Sequence, residues 1–546
     1  MLKTIFNITT FKYSPSYTQE DFEKWELPND YHCIYILENG KDAYVGETLV
    51  AAIRAYQHIS KFQALNFQRM HIITSDLMEE TPAKHYERLL IRLMKVDRLF
   101  NIVNGTDGNK THYQRKNEFE LHFDKLWNQL IDKKLVKQKS FQLILNSNAY
   151  KYSPYITFTK EQTDALTHIV NVLNSEETAP FSSKYKRRPV LINGNAGTGK
   201  TVVATSLFHY LRNDSRYANK KIAMVVANEQ MRNILKDVFH KTKEGLKKED
   251  IISPIELTKQ KYDIIICDEV HALRRYENLV FYKKHFEEGN KRLGLDNTHN
   301  ELDWILEQSE YQILFYDEKQ IIKRSDVRDE YIKKKILDCK QRGFRPIELK
   351  TEMRNKGGDA YIDYIYDILY QRMPQKQTFD DFDFKLFSSF TKMREEILQK
   401  EDKHGLSKLC GGYAWKWVSK DDISKPDIII EGEEIRWNRD KKMWIGNIDS
   451  KREMGSVYTL RGLDLNYVGL VIGPDLYFDK KDNQIKVNKK NLFSNDVKKG
   501  ATDGELKEYV LNTYALLLTR SIKGAYLYVC NDALRKYLKC FIEDEC

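Results

Sequence analysis

The sequence predicts an α/β protein in which a small α/β domain precedes two lobes built on parallel sheets. Three observations favour this class. A glycine-rich loop stands between an apolar strand-like run and a helical stretch at residues 190–201. From about residue 151 onward, apolar strand candidates alternate with helical patterns, which is typical of parallel sheets covered by helices. Nearer the amino terminus, two short strands flank a Glu-Asn-Gly turn within residues 33–45, which predicts a hairpin.

Length and charge limit the number of domains and the kinds of partner that we expect. The chain has 546 residues, too many for one hydrophobic core, so about two to four domains are expected. Lysine and arginine outnumber aspartate and glutamate by 89 to 79, which gives a net charge of +10. This balance fits a polyanionic partner, and it fits a solvated lysine-rich surface equally well.

Cysteine spacing and hydropathy indicate the cellular compartment in which the protein is expected. The seven cysteines include no Cys-x-x-Cys pair, so we predict neither a disulfide framework nor a zinc site. The first residues lack the apolar stretch of a secretion signal, and no apolar run approaches the about 18 residues of a membrane helix. We therefore expect a soluble, cytoplasmic protein with no membrane partner.

Composition and apolar patterning divide the chain into four parts. We predict a small domain over residues 1–115, a lysine-rich helical connector over 116–150, a first lobe over 151–345 and a second lobe over 346–546. The strand candidates of the two lobes are Val190–Ile192, Ile222–Val226, Ile264–Cys267, Ile313–Phe315, Val468–Ile472 and Ala525–Cys530.

The glycine-rich loop matches G-x-x-x-x-G-K-[ST], the phosphate-binding P-loop. Its glycines let successive backbone N–H groups form a concave anion nest, and the helix that follows presents its positive end to the phosphates. The lysine can reach the β- and γ-phosphates and the threonine hydroxyl can sit on Mg²⁺. The loop therefore predicts ATP or GTP binding, because its apolar flanks disfavour an ordinary glycine turn. The predicted nucleotide-binding residues are Gly194, Asn195, Ala196, Gly197, Thr198, Gly199, Lys200 and Thr201.

A second motif, which is acidic, follows the P-loop by about 70 residues. This interval is typical of P-loop enzymes. The apolar run Ile264–Cys267 predicts a buried strand that ends in Asp268 and Glu269. Carboxylates at the carboxyl end of such a parallel strand lie beside the P-loop. Asp268 is expected to hold Mg²⁺, directly or through water, and Glu269 to orient and deprotonate the attacking water. A merely polar strand end is the alternative.

Residues 268–271, Asp-Glu-Val-His, resemble motif II of the helicases, and further segments support the resemblance. Gln162 occupies the place of the glutamine that reads adenine in such enzymes. Residues 222–228 resemble motif Ia, which touches nucleic acid. Residues 313–320 resemble motif III and end in Asp-x-x-Gln, so Gln320 is implied to sense the γ-phosphate.

The second half of the chain continues the same order of motifs. Residues 351–354 resemble motif IV, residues 456–464 motif V and residues 514–520 motif VI. The resemblance implies that Arg354 reaches across to the phosphates and that Arg520 is the arginine finger.

Residues 151–546 as a whole resemble a superfamily 1 helicase core of two RecA-like lobes. The Gly-Pro-Asp-Leu stretch at 473–476 makes the Schlafen-type helicase-like ATPases the most similar group. One departure is Arg461, which stands where such enzymes usually have glutamine. The resemblance implies ATP, Mg²⁺ and translocation along DNA or RNA that has a single-stranded portion. Taken singly, each arginine fits a surface salt bridge, and a small-molecule ATPase such as a kinase is a further alternative.

The hairpin near the amino terminus carries two tyrosines in a second family pattern. Ile34-Tyr35 and Tyr44-Val45-Gly46 resemble the two signatures of GIY-YIG nucleases, although Cys33 replaces the usual first glycine. Further residues of the family pattern follow in the same order, namely Arg54, His58, Glu87 and an asparagine within Phe100-Asn101-Ile102-Val103-Asn104.

Phosphodiester cleavage gives each of these residue types a role. Glu87 is expected to bind Mg²⁺, with Mn²⁺ as an alternative, and Arg54 to clamp the scissile phosphate. Tyr35 or Tyr44 is expected to help activate water with assistance from His58. Individually, these residues also fit core packing or a solvated helix face.

Together the two patterns predict an ATP-dependent nuclease, in which a helicase-like motor feeds DNA or RNA to a metal-dependent endonuclease. By architecture alone, such a fusion resembles prokaryotic anti-phage or restriction-type defence, or repair. The alternative is a nucleic-acid-binding ATP switch whose amino-terminal domain docks without cutting.

Overall fold

The computed structural model of the chain describes residues 6–25, 32–75, 78–104, 116–137, 146–147, 151–152, 158–174, 188–242, 246–279, 282–339, 346–352, 355–438, 444 and 448–545. The chain divides into two compact units, Met1–Thr157 and Phe158–Cys546. Among the described helices, none is both long enough and apolar enough to cross a membrane.

The first unit is a mixed sheet with helices. Its described strands are β1 (Asn7–Lys12), β2 (Cys33–Glu38), β3 (Asp42–Thr48), β4 (Arg69–Thr74) and β5 (Asn101–Ile102). Its described helices are α1 (Gln19–Glu23), α2 (Ala51–Lys61), α3 (Glu80–Asp97) and α4 (Lys116–Asp132). The strands lie in the order β1-β4-β2-β3-β5. Only β5 pairs in parallel, with β3, and the other described pairs are antiparallel.

The predicted hairpin is present as β2 and β3. Cys33 pairs with Thr48 at one end and Glu38 with Ala43 at the other. Every residue of β2 is buried, because the strand lies between β3 and β4 and is covered on both faces.

The predicted connector begins with a helix that belongs to the core of the first unit. Four apolar residues of α4 are fully buried against α3, at the spacing of a single helix face. They are Phe123, Leu126, Trp127 and Leu130. Helix α4 spans residues 116–132 of the predicted connector, and it packs as an integral element of the first unit.

The second unit begins with a six-stranded sheet. Its strands are β6 (Arg188–Gly194), β7 (Ile222–Val226), β8 (Ile251–Ile252), β9 (Tyr262–Asp268), β10 (Ser309–Tyr316) and β11 (Ile347–Leu349). Its helices are α5 (Lys160–Asn174), α6 (Lys200–Asn213), α7 (Glu229–Thr242), α8 (Pro254–Leu257), α9 (Lys283–Leu293), α10 (Glu301–Gln308) and α11 (Asp329–Cys339). The order is β11-β6-β10-β9-β7-β8 and all described pairs are parallel.

An eight-stranded sheet with a small hairpin completes the second unit. Its strands are β12 (Asp383–Phe387), β13 (Ser407–Gly411), β14 (Ile428–Ile430), β15 (Glu433–Trp437), β16 (Glu453–Ser456), β17 (Leu465–Ile472), β20 (Ser521–Val529) and β21 (Glu543–Glu545), while β18 (Leu476–Asp479) pairs with β19 (Gln484–Val487). Its helices are α12 (Gly358–Leu369), α13 (Phe390–His404), α14 (Val457–Leu460), α15 (Asn495–Lys498), α16 (Asp503–Leu518) and α17 (Asp532–Lys539). The order is β14-β15-β16-β13-β17-β20-β12-β21, and only β14 runs antiparallel to its neighbour.

These two sheets confirm the predicted fold class, since they are parallel sheets consistent with two RecA-like lobes. All six predicted strands of the lobes are present. The predicted lobe boundary after residue 345 differs from the sheet boundary. Strand β11 (Ile347–Leu349) pairs with β6, so the first sheet extends beyond that boundary.

A buried polar pair holds the long helix of the second lobe. Tyr514 on α16 donates its hydroxyl to Asp475 at 2.5 Å and accepts from the Gly473 backbone N–H at 3.2 Å. Burial raises the pKa of Asp475 to about 7. The Gly-Pro-Asp-Leu stretch therefore anchors α16, whose carboxyl end leads directly to Arg520.

Candidate active sites

The P-loop forms the turn between β6 and α6. Gly197 and Gly199 adopt φ values of +83° and +81°, which favour glycine. A Cβ on Gly199 would overlap the Gln162 side-chain amide, and one on Gly197 would overlap the Glu352 carboxylate. The glycines at these two positions are therefore required by backbone conformation and by close neighbours alike.

Lys200 is the cation of this loop, and it is buried. Its ammonium donates to the carbonyls of Gly194 at 2.6 Å and Asn195 at 2.8 Å. It also pairs with Asp317 at 3.2 Å. The side chain thus curls over the loop with its charge at the position where phosphate oxygens would be bound.

A threonine and an aspartate form a pair suited to Mg²⁺. The Thr201 hydroxyl donates to Asp268 Oδ2 at 2.7 Å. Asp268 Oδ1 is buried and has no hydrogen-bond partner among the described residues. Burial, together with the neighbouring Glu269 charge, raises the pKa of Asp268 above its usual range. The Thr201 hydroxyl and the Asp268 carboxyl group with its unpartnered Oδ1 fit a hard cation.

Glu269 follows Asp268 in a left-handed conformation with φ of +58°. Its Oε2 lies 3.5 Å from His271 Nε2 and 3.5 Å from Arg461 Nε. Burial works to raise the pKa of Glu269, but the adjacent His271 and the charges of Arg461 and Arg520 outweigh it and lower that pKa. Glu269 is therefore held as a carboxylate.

A chain of side chains links the second lobe to the P-loop lysine. Arg520 donates to Gln320 Oε1 at 2.7 Å, and Gln320 donates to Asp317 Oδ2 at 2.5 Å. Asp317 in turn pairs with Lys200. The guanidinium predicted as the arginine finger therefore lies two side chains from the lysine of the glycine loop.

Gln162 and Arg354 are the two remaining predicted ATPase residues, and only Gln162 lies within the described part of the chain. Gln162 is buried, donates to the Thr198 carbonyl at 2.9 Å and accepts from the Thr159 backbone N–H at 3.0 Å. Its amide therefore ties the start of α5 to the P-loop. Arg354 lies outside the described residues.

A cleft of about 520 Å³ opens beside these residues, between the two sheets of the second unit. It combines cations with aromatic rings, and its lining includes Asn228, Arg232, Arg274, Lys323, Trp417 and Tyr458. Residues of the predicted motifs Ia and V both contribute. Arginines and lysines that alternate with aromatic rings suit the phosphates and bases of a single strand.

The first unit has its own cluster on the hairpin and α2. The Tyr35 hydroxyl and His58 Nε2 are 2.6 Å apart, a hydrogen bond whose direction depends on the imidazole tautomer. The Tyr44 ring lies 5.1 Å from the His58 ring. Burial lowers the pKa of His58 to about 4, with the Arg54 and Lys61 charges adding to the effect. The imidazole is therefore neutral near pH 7.

Glu87 on α3 faces the same cluster. Burial raises its pKa to about 7, and the charge of Glu47 adds to the rise, while Arg54 and Lys84 act in the opposite direction. Burial also raises the pKa of Tyr35, and Arg54 again opposes it. Five of the six predicted nuclease residues, Tyr35, Tyr44, Arg54, His58 and Glu87, are thus electrostatically coupled neighbours.

The sixth predicted residue is an asparagine of residues 100–104, and of these Asn104 has a structural role in the hairpin. Its side-chain amide accepts from the Val45 backbone N–H at 3.0 Å and donates to the Val45 carbonyl at 2.7 Å. Next to it, Gly46 lies directly against Tyr35, where a Cβ would overlap the phenol.

This contact predicts that Gly46→Ala destabilises the first unit by about 1–3 kcal/mol, the usual cost of overpacking. Tyr35 is fully buried and bonded to His58, so it has no room to withdraw. The unfolding midpoint in denaturant reports the change. Gly504→Ala is the matched control, because a Cβ there meets nothing within 4 Å. Equal midpoints for the two variants would contradict the prediction.

Sequence reasoning did not assign several residues that the structure brings to these sites. Asp317 and His271 lie within the quoted motifs, but their contacts to Lys200 and Glu269 depend on the tertiary fold. Glu47 beside Glu87 and Glu352 beside Gly197 are likewise close only in space. The acidic residue of the Asp-x-x-Gln motif was a signal that could have found Asp317.

Fold and site together define a helicase-like nucleic-acid ATPase. The model of the Schlafen group 3 DNA/RNA helicase domain matches residues 187–531. The chain belongs to this family, and the match covers every strand of the two sheets of the second unit except β21. Residues 1–186 and 532–546 lie outside the match.

A curated relative and several solved structures are similar to this chain. The uncharacterized protein YPL245W of Saccharomyces cerevisiae is 24% identical over 449 residues, which span 72% of this chain and 93% of that protein. The Pif1 helicase of Candida albicans is 11% identical, with 70% of this chain and 96% of that chain covered and a TM-score of 0.29. Saccharomyces cerevisiae Dbp5, bound to RNA and ADP BeF3, is 11% identical, with 74% and 93% covered and a TM-score of 0.28.

Proposed function

We propose that this chain is an ATP-driven translocase that moves along a DNA or RNA strand and cuts it with a GIY-YIG-type nuclease. The motor occupies residues 151–546 and the nuclease residues 1–115. The observation that supports the motor best is the link from Arg520 through Gln320 and Asp317 to Lys200. Through this link, closure of the two lobes and the state of the phosphates depend on each other.

Each residue of the ATPase site has a role in hydrolysis. Thr201 and Asp268 would hold Mg²⁺, which neutralises phosphate charge when bound. Lys200 binds the phosphates, and Glu269 orients the attacking water and takes its proton. Arg520 stabilises the charge that develops in the transition state. Arg354 is proposed as a second cation of the same kind.

The cleft next to this site is the proposed track for the strand. Arg232, Arg274 and Lys323 supply charge for backbone phosphates, and Trp417 and Tyr458 supply rings for stacking. Binding of this type reads the backbone more than the bases, so it suits movement along a strand without sequence preference.

The cluster in the first unit supports the nuclease. Glu87 would hold Mg²⁺ or Mn²⁺, which supplies charge neutralisation at the phosphate when bound. Arg54 clamps the scissile phosphate. The Tyr35 phenol takes a proton from the attacking water as it passes its own to the neutral His58 imidazole. A first unit that only docks nucleic acid is the alternative, and it predicts binding without a cleaved product.

ATP turnover with and without polynucleotide tests the motor. Single-stranded DNA or RNA is expected to raise turnover by about tenfold, within the usual range of coupling between two sites. Blunt duplex of equal nucleotide concentration is the control, and it is expected to stimulate less. Turnover that no polynucleotide changes would contradict the proposal and favour a small-molecule ATPase.

A further inference from the structure

Arg461 belongs to the second lobe, yet its side chain lies among residues of the first. It caps α14 and is 3% exposed. Its Nη2 donates to the Gln320 carbonyl at 3.1 Å. The guanidinium is therefore held beside the proposed hydrolysis site by the same residue that Arg520 contacts.

Two carboxylates of the first lobe share the charge of this guanidinium. Arg461 Nε lies 3.5 Å from Glu269 Oε2, and Arg461 Nη1 lies 3.6 Å from Asp326 Oδ2. Arg461 Nε and Glu269 Oε2 are both buried and have no hydrogen-bond partner among the described residues. Charge alone joins this pair, without the two parallel hydrogen bonds of an arginine fork.

The same arginine also lines the cleft proposed as the track. Tyr458 and Thr459, which precede it in the chain, line the same cleft, as do Arg274 and Lys323. A phosphodiester that entered the cleft would offer Arg461 oxygens that can accept hydrogen bonds from its free Nε–H. The strand and Glu269 would thus compete for one guanidinium.

We infer that Arg461 is a positioning residue that restrains Glu269 until a strand fills the cleft, and so couples strand binding to ATP hydrolysis. The inference rests on the proposed function. Once the strand draws Arg461 away, the Glu269 carboxylate takes a proton from the attacking water. The water oxygen bonds to the γ-phosphorus while the bond from that phosphorus to the ADP oxygen breaks.

Arg461→Gln tests the restraint in the full chain. Glutamine is the residue that superfamily 1 enzymes usually carry before the motif V glycine. Without polynucleotide, we expect Arg461→Gln to hydrolyse ATP at least about threefold faster than the wild type. The ratio of stimulated to unstimulated turnover is expected to fall about fivefold or more, which is the scale of typical coupling. Steady-state turnover with and without poly(dT) or poly(U) measures both quantities.

Two further variants complete the experiment. Arg461→Lys keeps the charge, but one ammonium cannot span Glu269, Asp326 and the Gln320 carbonyl. Its ratio of stimulated to unstimulated turnover should therefore lie between those of the wild type and Arg461→Gln. This variant also carries the test if Arg461→Gln does not fold. Lys451→Gln removes an exposed lysine that pairs with Asp402 at 2.7 Å, and it should keep the wild-type ratio.

The outcomes separate the inference from the proposed function. An unchanged ratio in Arg461→Gln, or in Arg461→Lys where only that variant folds, would overturn the restraint. Loss of turnover both with and without polynucleotide in a folded Arg461→Gln would overturn it as well, since Arg461 would then support Glu269 instead of restraining it. A wild type that no polynucleotide stimulates would refute the motor, while the unstimulated rates would still report on the restraint.

Discussion

Arg520→Ala is expected to lower kcat for ATP hydrolysis by about 10³-fold, the scale that arginine fingers contribute. The reason is that Arg520 acts on charge that develops only in the transition state. Ground-state binding depends on the glycine loop and Lys200, so the KM for ATP should change far less. Lys200→Ala, in contrast, should weaken ATP binding and turnover together. Turnover at saturating polynucleotide and titration with a fluorescent ATP analogue separate these effects.

Arg535→Ala is the control for Arg520→Ala. It removes the same charge from the same lobe, but Arg535 pairs with Asp532 on the surface of α17. It should leave turnover at the wild-type level. Wild-type kcat in Arg520→Ala would mean that the site is complete without this guanidinium, and the proposed coupling of lobe closure to hydrolysis would be wrong.

Glu87→Gln is expected to reduce cleavage of DNA or RNA by at least about 10²-fold. Losing a residue that merely supports a metal ligand already costs about 10–100-fold, and Glu87 is proposed as the ligand itself. Glutamine preserves the shape of the side chain and removes its charge. Product formation in Mg²⁺ or Mn²⁺, followed on labelled single strands and duplexes, measures the effect.

The same preparation supplies the controls for Glu87→Gln. Its ATP turnover should match the wild type, because the substitution lies in the other unit. Glu80→Gln changes an exposed carboxylate on the same helix, one that pairs with Lys84, and should keep cleavage intact. Equal cleavage by wild type and Glu87→Gln would exclude Glu87 as the metal ligand. No cleavage by the wild type on any substrate would favour the docking alternative.

The P-loop was predictable because its chemistry depends on consecutive residues. The required glycines, lysine and threonine all lie within eight positions, and apolar residues on both sides predict the strand and helix that hold them. The buried parallel strands were predictable for a similar reason. A central strand covered on both faces reads as a continuous apolar run, as β9 and β17 do.

Strands β1 and β4, which escaped prediction, depend on distant partners. β1 (Asn7–Lys12) is an edge strand with one well-buried apolar residue, Ile8, so its local pattern is weak. Its partner β4 (Arg69–Thr74) arrives about 60 residues later and carries a charged residue and a histidine. Such pairings are fixed by the assembled sheet, and local propensity hardly favours them.

The network around Glu269 shows the same limit for the site. The order of motifs predicted that Gln320 and Arg520 approach the phosphates, but not that Asp317 connects them to Lys200. The departure at Arg461 was visible as an arginine in place of glutamine. Its contacts to Glu269 and Asp326 follow from how the two lobes meet, which one sequence does not state.

The acidic strand β21 (Glu543–Glu545) has a consequence for how the protein behaves in concentrated solution. It forms one edge of the eight-stranded sheet beside β12, where Glu545 pairs with Lys385 at 3.1 Å. An open edge invites strands from another molecule, and carboxylates there repel a second copy. Salt screens that repulsion over about 10 Å at 0.1 M. Edge-to-edge aggregation should therefore be best suppressed in buffers of low ionic strength.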